Sequence, residues 1–167
     1  KLYYNITNCI IFWSFLYKKT KRTEKTTFRK GMEKMDSAAL AQALWADIGA
    51  QRWDALAAYF LPGALIFWHN TDECFTAEEF VRANREYPGN WRIEIERVHV
   101  LADAAATVVR VYGPDGLSFH AASFFTFRHG KIVRLDEYWG DDGPAPEWRR
   151  ALGIGRPIQR EDRYGGE

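Results

Sequence analysis

The segment Gly130 to Asp141, which reads GKIVRLDEYWGD, constrains the fold of this chain more than any other. A Gly-Lys turn begins a strand whose far end carries two carboxylates, a tyrosine and a tryptophan in succession. Side chains alternate between faces along a strand, so Glu137 shares one face with Leu135 and Trp139. A lone carboxylate among apolar groups acquires a raised pKa, which suits proton transfer. The segment therefore predicts a sheet with a candidate acid/base at Glu137.

Three helices are predicted in the first half of the chain. Asp36 or Ser37 can cap the first helix. Thr76 and Glu79 have the form of a capping box, so another helix begins there. The predicted helices cover about 37–48, 52–61 and 77–87, and a strand covers 64–69.

The second half, from residue 91 to residue 141, is predicted to be strand and turn. Apolar residues alternate up to Ile95 and then continue from Val98 on the opposite parity. A bulge near Glu96 and Arg97 would absorb this shift and bend the strand. Four consecutive strands with short links make an antiparallel meander. Helices first and strands last indicate an α+β domain with its helices on one face of the sheet.

Charge divides the chain at about residue 31. Residues 1–31 carry eight Lys or Arg and one Glu, whereas the remainder carries 15 basic and 21 acidic residues. An acidic domain disfavours nucleic acid as the main partner, because phosphate binding needs a basic surface. We therefore expect a leader over 1–31, one domain over 32–157 and a C-terminal tail over 158–167.

The leader has two interpretations. Its composition differs from that of the domain, and Met32 and Met35 lie at the break, which indicates a non-native or disordered segment before the natural start. Alternatively, the apolar run from Cys9 to Tyr17 anchors the chain at a membrane surface, although it is well short of the ~20 residues that span a bilayer. The first interpretation is preferred, and no membrane partner is predicted.

No metal or cofactor is predicted. Cys9 and Cys74 lie in different segments without CxxC spacing, which favours two free thiols in a reducing compartment and hence a cytoplasmic location. No HExxH spacing occurs, and Gly153-Ile154-Gly155 lacks the third glycine of a dinucleotide-binding loop.

The chain resembles the nuclear transport factor 2-like superfamily in its predicted order of elements, which is helix, helix, strand, helix and four antiparallel strands. Two motifs add to the resemblance: GKIVRLDEYWGD and the strand ending Phe67-Trp68-His69-Asn70. The likeness covers about 37–141 and is strongest to the SnoaL-like branch. It implies a cone, in which a curved antiparallel sheet wraps around three N-terminal helices and leaves a deep apolar pocket. The superfamily contains ketosteroid isomerases, polyketide cyclases, dehydratases and epoxide hydrolases, alongside members that only bind or assemble.

The resemblance also implies site residues and an assembly. Glu137 falls where SnoaL-type cyclases keep an acid/base, and His69 or Asn70 falls where ketosteroid isomerases keep the proton-shuttling Asp. A homodimer is expected, with Ile132 and Tyr138 on the outer face as contact candidates. His120 is a further catalytic candidate, and the ligand-binding candidates are Trp45, Trp68, Asn70, Trp91, Arg110 and Trp139.

Two hypotheses about function follow from these residues. The first is an enzyme of isomerase, cyclase or dehydratase type that transfers a proton next to a carbonyl of a small apolar molecule. The second is a protein that binds a small apolar molecule in the same pocket without chemistry. An enzyme needs Glu137 and a histidine within reach of one bound atom, whereas a binding protein needs only the apolar cavity.

Overall fold

The computed structural model describes the backbone of residues 25–159 and the side chains of residues 37–159 apart from Asp115. Most of the predicted leader, including Cys9, and most of the tail lie outside the described residues. Helix α1 crosses the predicted domain start at residue 32. Within residues 25–159, none of the helices is both long and apolar enough to cross a membrane.

The described residues form four α-helices and one six-stranded sheet. The strands lie in the order β2-β1-β6-β5-β4-β3. All neighbouring pairs are antiparallel except β1 and β6, which run parallel. The helices are α1 Lys25–Gly49, α2 Trp53–Leu56, α3 Ala77–Glu86 and α4 Glu147–Ala151; the strands are β1 Phe60–Trp68, β2 Glu73–Thr76, β3 Arg92–Leu101, β4 Ala104–Tyr112, β5 Ser118–Arg128 and β6 Lys131–Asp141.

The core lies between helix α1 and the concave face of the sheet. Leu44 and Trp45 of α1 are buried there against alternate residues of the central strands. The residues of β4, β5 and β6 that face this core are buried, whereas their neighbours in sequence face outwards. This arrangement is the predicted α+β architecture of helices held inside a curved sheet.

Several predicted elements are confirmed. Thr76 and Glu79 form the capping box at the start of α3, with each side chain bonded to the backbone of the other residue. The four-strand antiparallel meander is present as β3 to β6. The pairing of β3 with β4 shifts register between Ile95 and Arg97, where the reversal of parity predicted a bulge.

Two predicted helices have other bounds. Helix α1 begins at Lys25, so Ser37 lies buried in its interior rather than capping it. Residues 25–36 contain no proline, and nothing in their backbone forces a start at Asp36. The second helix gives way to a 3₁₀ turn over Ala57–Tyr59, and strand β1 then begins at Phe60.

A bulge in β6 corrects the alternation expected from the turn at Gly130. Thr126 pairs with Arg134 and Phe127 pairs with Ile132, so Val133 has no partner on β5. The extra residue lets Ile132 and Leu135 both point into the core, where both are fully buried. The prediction that Ile132 lies on the outer face was therefore wrong, because regular alternation does not continue through a bulge.

Candidate ligand-binding site

Glu137 lies on the concave face of β6, at the centre of three paired strands. It sits beside Ser123 of β5 and Trp68 of β1 in the strand register. Leu135 and Trp139 flank it on the same face, and only 1% of Glu137 is exposed. Strand alternation beyond the bulge therefore places this carboxylate in the interior.

Three neutral donors bond the Glu137 carboxylate. Its Oε2 accepts a hydrogen bond of 2.6 Å from Trp68 Nε1 and one of 3.4 Å from Trp139 Nε1. Its Oε1 accepts a bond of 3.3 Å from Ser123 Oγ. Burial raises the pKa of Glu137 to about 7, although these three hydrogen bonds act in the opposite direction. At neutral pH the group thus exists in both protonation states.

A cavity of about 530 Å³ opens beside this carboxylate. Five indoles contribute to its lining, together with Phe119 and Tyr87. Four of them lie on α1, α2, β1 and β6, and the fifth belongs to the residue that precedes β3. Glu137 is not among the residues that line the cavity, whereas Trp68 and Trp139, which both donate to its carboxylate, are. The five indoles are those of Trp45, Trp53, Trp68, Trp91 and Trp139.

The ring of Trp91 occupies space that only a glycine leaves open. A Cβ built on Gly113 would overlap the six-membered ring of Trp91. Trp91 also packs on Tyr87 and Phe119, with ring centroids 5.2 and 5.5 Å apart. Gly113 therefore lets this wall of the cavity lie flat against the backbone before the 3₁₀ turn over Pro114–Gly116.

Comparisons with known proteins agree with this fold. A family model described as a SnoaL-like domain matches residues 41–135, which is more than half of the chain. The chain belongs to the SnoaL-like domain family. The nuclear transport factor 2-like fold of this family is related to ketosteroid isomerases and polyketide cyclases. No curated protein matches the sequence.

Solved structures similar to this SnoaL-like protein share the fold at low sequence identity. A protein from Kribbella flavida DSM 17836, provisionally named as a ketosteroid isomerase, is 22% identical with a TM-score of 0.67 over 77% of this chain and 94% of its own. An NTF-2 like protein of unknown function from Burkholderia xenovorans LB400 is 21% identical, with a TM-score of 0.64 over 77% and 99%. A protein from Jannaschia sp. CCS1, provisionally named as a SnoaL-like polyketide cyclase, is 15% identical, with a TM-score of 0.57 over 81% and 96%.

Five of the sequence-predicted ligand-binding residues line the cavity. They are Trp45, Trp68, Asn70, Trp91 and Trp139. Trp45 gives its indole N–H to Thr107 Oγ1 at 3.0 Å. That donor is therefore already bonded within the protein.

The choice between His69 and Asn70 is resolved by their surroundings. Asn70 lines the cavity, and its side-chain amide bonds both the N–H and the C=O of Trp139. His69 instead stacks on Tyr138 with ring centroids 4.4 Å apart, and its Nε2 lies 2.8 Å from Asp136 Oδ1. Both partners belong to the outer face of β6, so His69 does not reach Glu137.

The other two predicted site residues also lie on the outer face. His120 and Arg110 pair in the register of β5 with β4, one position away from the buried Ala121 and Val109. Both contact Asp142, with Arg110 Nε at 2.9 Å from Oδ2. Alternation directs both away from the cavity, so His120 does not meet Glu137 and Arg110 does not line the cavity, contrary to their predicted roles.

Sequence reasoning missed several residues around the site. Ser123, Trp53, Tyr87, Asn84 and Asp141 were not proposed, although all but Ser123 line the cavity. Ser123 is detectable as the one polar residue that shares parity with Ala121 and Phe125. Asp141 ends β6 with the parity of Glu137 and Trp139, so alternation could have found it. Trp53, Asn84 and Tyr87 lie at helix ends, whose approach to a strand is not encoded in local periodicity. Among the described residues, no group of three or more His, Cys, Asp or Glu side chains is arranged to hold a metal ion.

Proposed function

We propose that this SnoaL-like protein binds a small, largely apolar molecule in the cavity lined by the five indoles. The aromatic cavity of about 530 Å³ is the observation that carries the proposal. Pockets for small molecules usually measure ~300–1,000 Å³ and combine apolar walls with a few polar groups. Burying an apolar ligand against these rings supplies the free energy of binding.

The arrangement of Glu137 supports binding without chemistry. Both carboxylate oxygens accept hydrogen bonds from the protein, and Glu137 is not among the residues that line the cavity. His69 and His120 lie on the other face of the sheet. The pair of groups that an enzyme needs at one bound atom is thus absent from the cavity among the described residues.

Titration with a neutral ketone tests the proposal directly. We expect 1-indanone to quench the tryptophan fluorescence saturably, with a binding constant confirmed by calorimetry. Ala83→Phe places a ring into the cavity from α3 and should weaken binding by about tenfold or more. Ala102→Phe adds the same ring in the exposed turn between β3 and β4 and serves as the matched control. Equal affinities in the two variants, or no saturable binding by the wild type, would contradict the proposal.

Proton transfer by Glu137 is the second candidate function, favoured by its pKa of about 7. The carboxylate would take a proton from the carbon next to the ketone and return one to the resulting enolate. This requires the Trp139 indole, whose bond to Glu137 is the longer at 3.4 Å, to turn aside. Glu137 would then contact the ligand.

Exchange of the α-protons of 1-indanone into deuterium oxide separates the two candidates. If Glu137 is the base, Glu137→Gln should slow the catalysed exchange by roughly 10²–10⁴ and leave the affinity for 1-indanone nearly unchanged. If the wild type binds 1-indanone but exchanges its α-protons no faster than buffer does, proton transfer by Glu137 is refuted for this ketone. The protein would then only bind it.

A further inference from the structure

The indoles around the cavity offer rings rather than hydrogen-bond donors. Four of the five N–H groups are bonded to acceptors within the protein, at distances of 2.6 to 3.4 Å. Their rings can therefore contact a ligand through their faces and C–H edges alone. The four donor and acceptor pairs are Trp45 with Thr107, Trp68 with Glu137, Trp91 with Pro88 and Trp139 with Glu137.

The side-chain amides that line the cavity are also turned so that their donors are used internally. Asn84 Nδ2 donates to the Phe80 carbonyl at 2.9 Å, and Gln51 Nε2 donates to the Gly89 carbonyl at 3.4 Å. The carbonyl oxygens of these two amides remain available as acceptors. Among the described lining side chains, Trp53 and Tyr87 keep donors without an acceptor, and Asn70 and Asn84 each keep one of two amide N–H groups. Most indole donors of the lining are thus used within the protein, and acceptor oxygens of Gln51 and Asn84 remain on it.

The charge of the lining has one sign. Asp141 is the charged side chain among the described residues that line the cavity, and no Lys, Arg or His is among them. Asp141 is exposed and forms no ion pair with another described residue. The faces of aromatic rings carry negative partial charge and attract cations within ~6 Å. The aromatic walls and the carboxylate of Asp141 thus both favour a positively charged ligand.

We propose that the ligand of this cavity is an organic cation, an alkylated ammonium group on an apolar body. This inference rests on the proposed function, because it assigns a chemical class to the molecule bound there. The apolar body packs on the indoles, and the ammonium group lies against ring faces near Asp141. An alkylated ammonium is weakly hydrated and suits a site that offers ring faces. A carboxylate or phosphate would find no cation among the described lining side chains and would meet the like charge of Asp141.

An isosteric pair of probes isolates the charge. 3-Hydroxyphenyltrimethylammonium and 3-tert-butylphenol differ in the replacement of a cationic nitrogen by carbon, and 3-hydroxybenzenesulfonate supplies the opposite charge. Calorimetry should show the cation binding about tenfold or more tighter than its neutral isostere, as expected for desolvated contacts with several rings. The sulfonate should bind weakest.

Two acid variants locate the effect. Asp141→Asn should weaken binding of the cation by about threefold or more and leave 3-tert-butylphenol unchanged. Asp103→Asn removes the same charge from the exposed turn between β3 and β4, at the other end of the strands, and should leave both affinities unchanged. Equal losses in the two variants would mean that only the overall charge of the protein acts, which overturns the inference.

Trp53→Leu provides a further readout by replacing a lining ring with an apolar side chain that lacks a π face. The cation should lose more affinity than its neutral isostere, since both lose apolar contact and only the cation loses the ring face.

Failure of this inference is distinguishable from failure of the proposed function. Binding of 3-tert-butylphenol as tight as that of the cation overturns the inference and leaves the apolar cavity as the binding site. Binding of 1-indanone with no binding of the cation would likewise overturn the inference and leave the apolar cavity as the binding site. Absence of saturable binding by the ketone and by all three probes to the folded protein overturns both.

Discussion

Asp136 and Glu137 are neighbours in one strand, yet their carboxylates have opposite surroundings. Glu137 faces the concave side and meets three neutral donors, from Trp68, Trp139 and Ser123. Asp136 faces the convex side, where Arg134 donates two hydrogen bonds of 2.6 Å and His69 lies at 2.8 Å. Burial raises the pKa of Glu137 to about 7. Burial also acts to raise the pKa of Asp136, but its partners outweigh it and hold the pKa below its usual value.

The comparison separates the effect of burial from the effect of partners. Neutral N–H and O–H donors can satisfy a buried carboxylate and still leave its proton easily bound, whereas a guanidinium keeps the carboxylate charged. The outer face repeats the second pattern at Asp142, where burial is outweighed by Ser118, His120 and Arg110 and the pKa is lowered. The cation-free environment is thus a property of the concave face.

The largest expected effect is on the pH dependence of stability. Because the folded pKa of Glu137 exceeds its ordinary value of 4.5, the wild type should lose stability as the pH rises from about 4.5 to 7. The loss should be of the order of 3 kcal/mol, and Glu137→Gln should lack it. Urea unfolding of both proteins at several pH values measures the difference. If the free energy of unfolding changes with pH in the same way in both proteins, Glu137 does not titrate in this range. The histidines do not affect this comparison, because both proteins contain them.

Removal of the shortest donor to Glu137 should be the next largest effect. Trp68→Phe leaves the ionised carboxylate without its 2.6 Å bond, so stability at pH 8 should fall by about 2 kcal/mol. The fall at pH 4.5 should be smaller, because the neutral acid needs that donor less. Trp53→Phe makes the same change in a lining ring that does not bond Glu137, and its effect should be independent of pH. A pH-independent loss at Trp68 would mean that packing alone is involved.

A smaller effect is expected on the convex face. Arg134→Met keeps the apolar stem and removes the guanidinium, which should cost about 1 kcal/mol or less, since the Arg134 side chain is 49% exposed. The pKa of Asp136 should rise towards its ordinary value of 3.8, so the variant should lose less stability than the wild type on acidification below that value. Arg82→Met removes an exposed partner of Glu86 and is the control. An unchanged acid limb in Arg134→Met would show that His69 alone holds the Asp136 carboxylate.

The smallest effect on the stability of the single chain is expected at the exposed rings of the convex face. Phe124 is 46% exposed and contacts Tyr138 edge to face, with centroids 6.0 Å apart. We propose that a homodimer forms through these rings, so Phe124→Gln should convert a dimer to a monomer in light scattering. Its unfolding free energy as a monomer should change by about 0.5 kcal/mol or less. A wild type that is monomeric at tens of micromolar would refute the dimer.

Periodicity in the sequence was enough to predict the meander, the capping box and the inward direction of Glu137. Each of these depends on residues within a few positions of one another. Other features depend on which strands become neighbours. They are the unpaired Val133, the parallel contact of β1 with β6, and the approach of Trp53 to the cavity. His69 and His120 were proposed as catalytic residues because histidine transfers protons, but the faces they occupy follow from strand register rather than from residue type. The local sequence pattern thus predicted the buried position of Glu137 but not the residues around it.

The unpaired residue in β6 gives this central strand an unusual tolerance to a change in length. Ile132 and Arg134 already occupy opposite faces, as they would if they were adjacent in a regular strand. A chain that lacks Val133 would therefore keep every later side chain on its present face and lose only local curvature. Deletion of Leu135 would instead exchange the faces of the residues that follow, presenting Asp136 to the interior and Glu137 to solvent. Ligand titration of the two deletion proteins would show whether Val133 marks the position at which evolution can shorten this strand without altering the binding site.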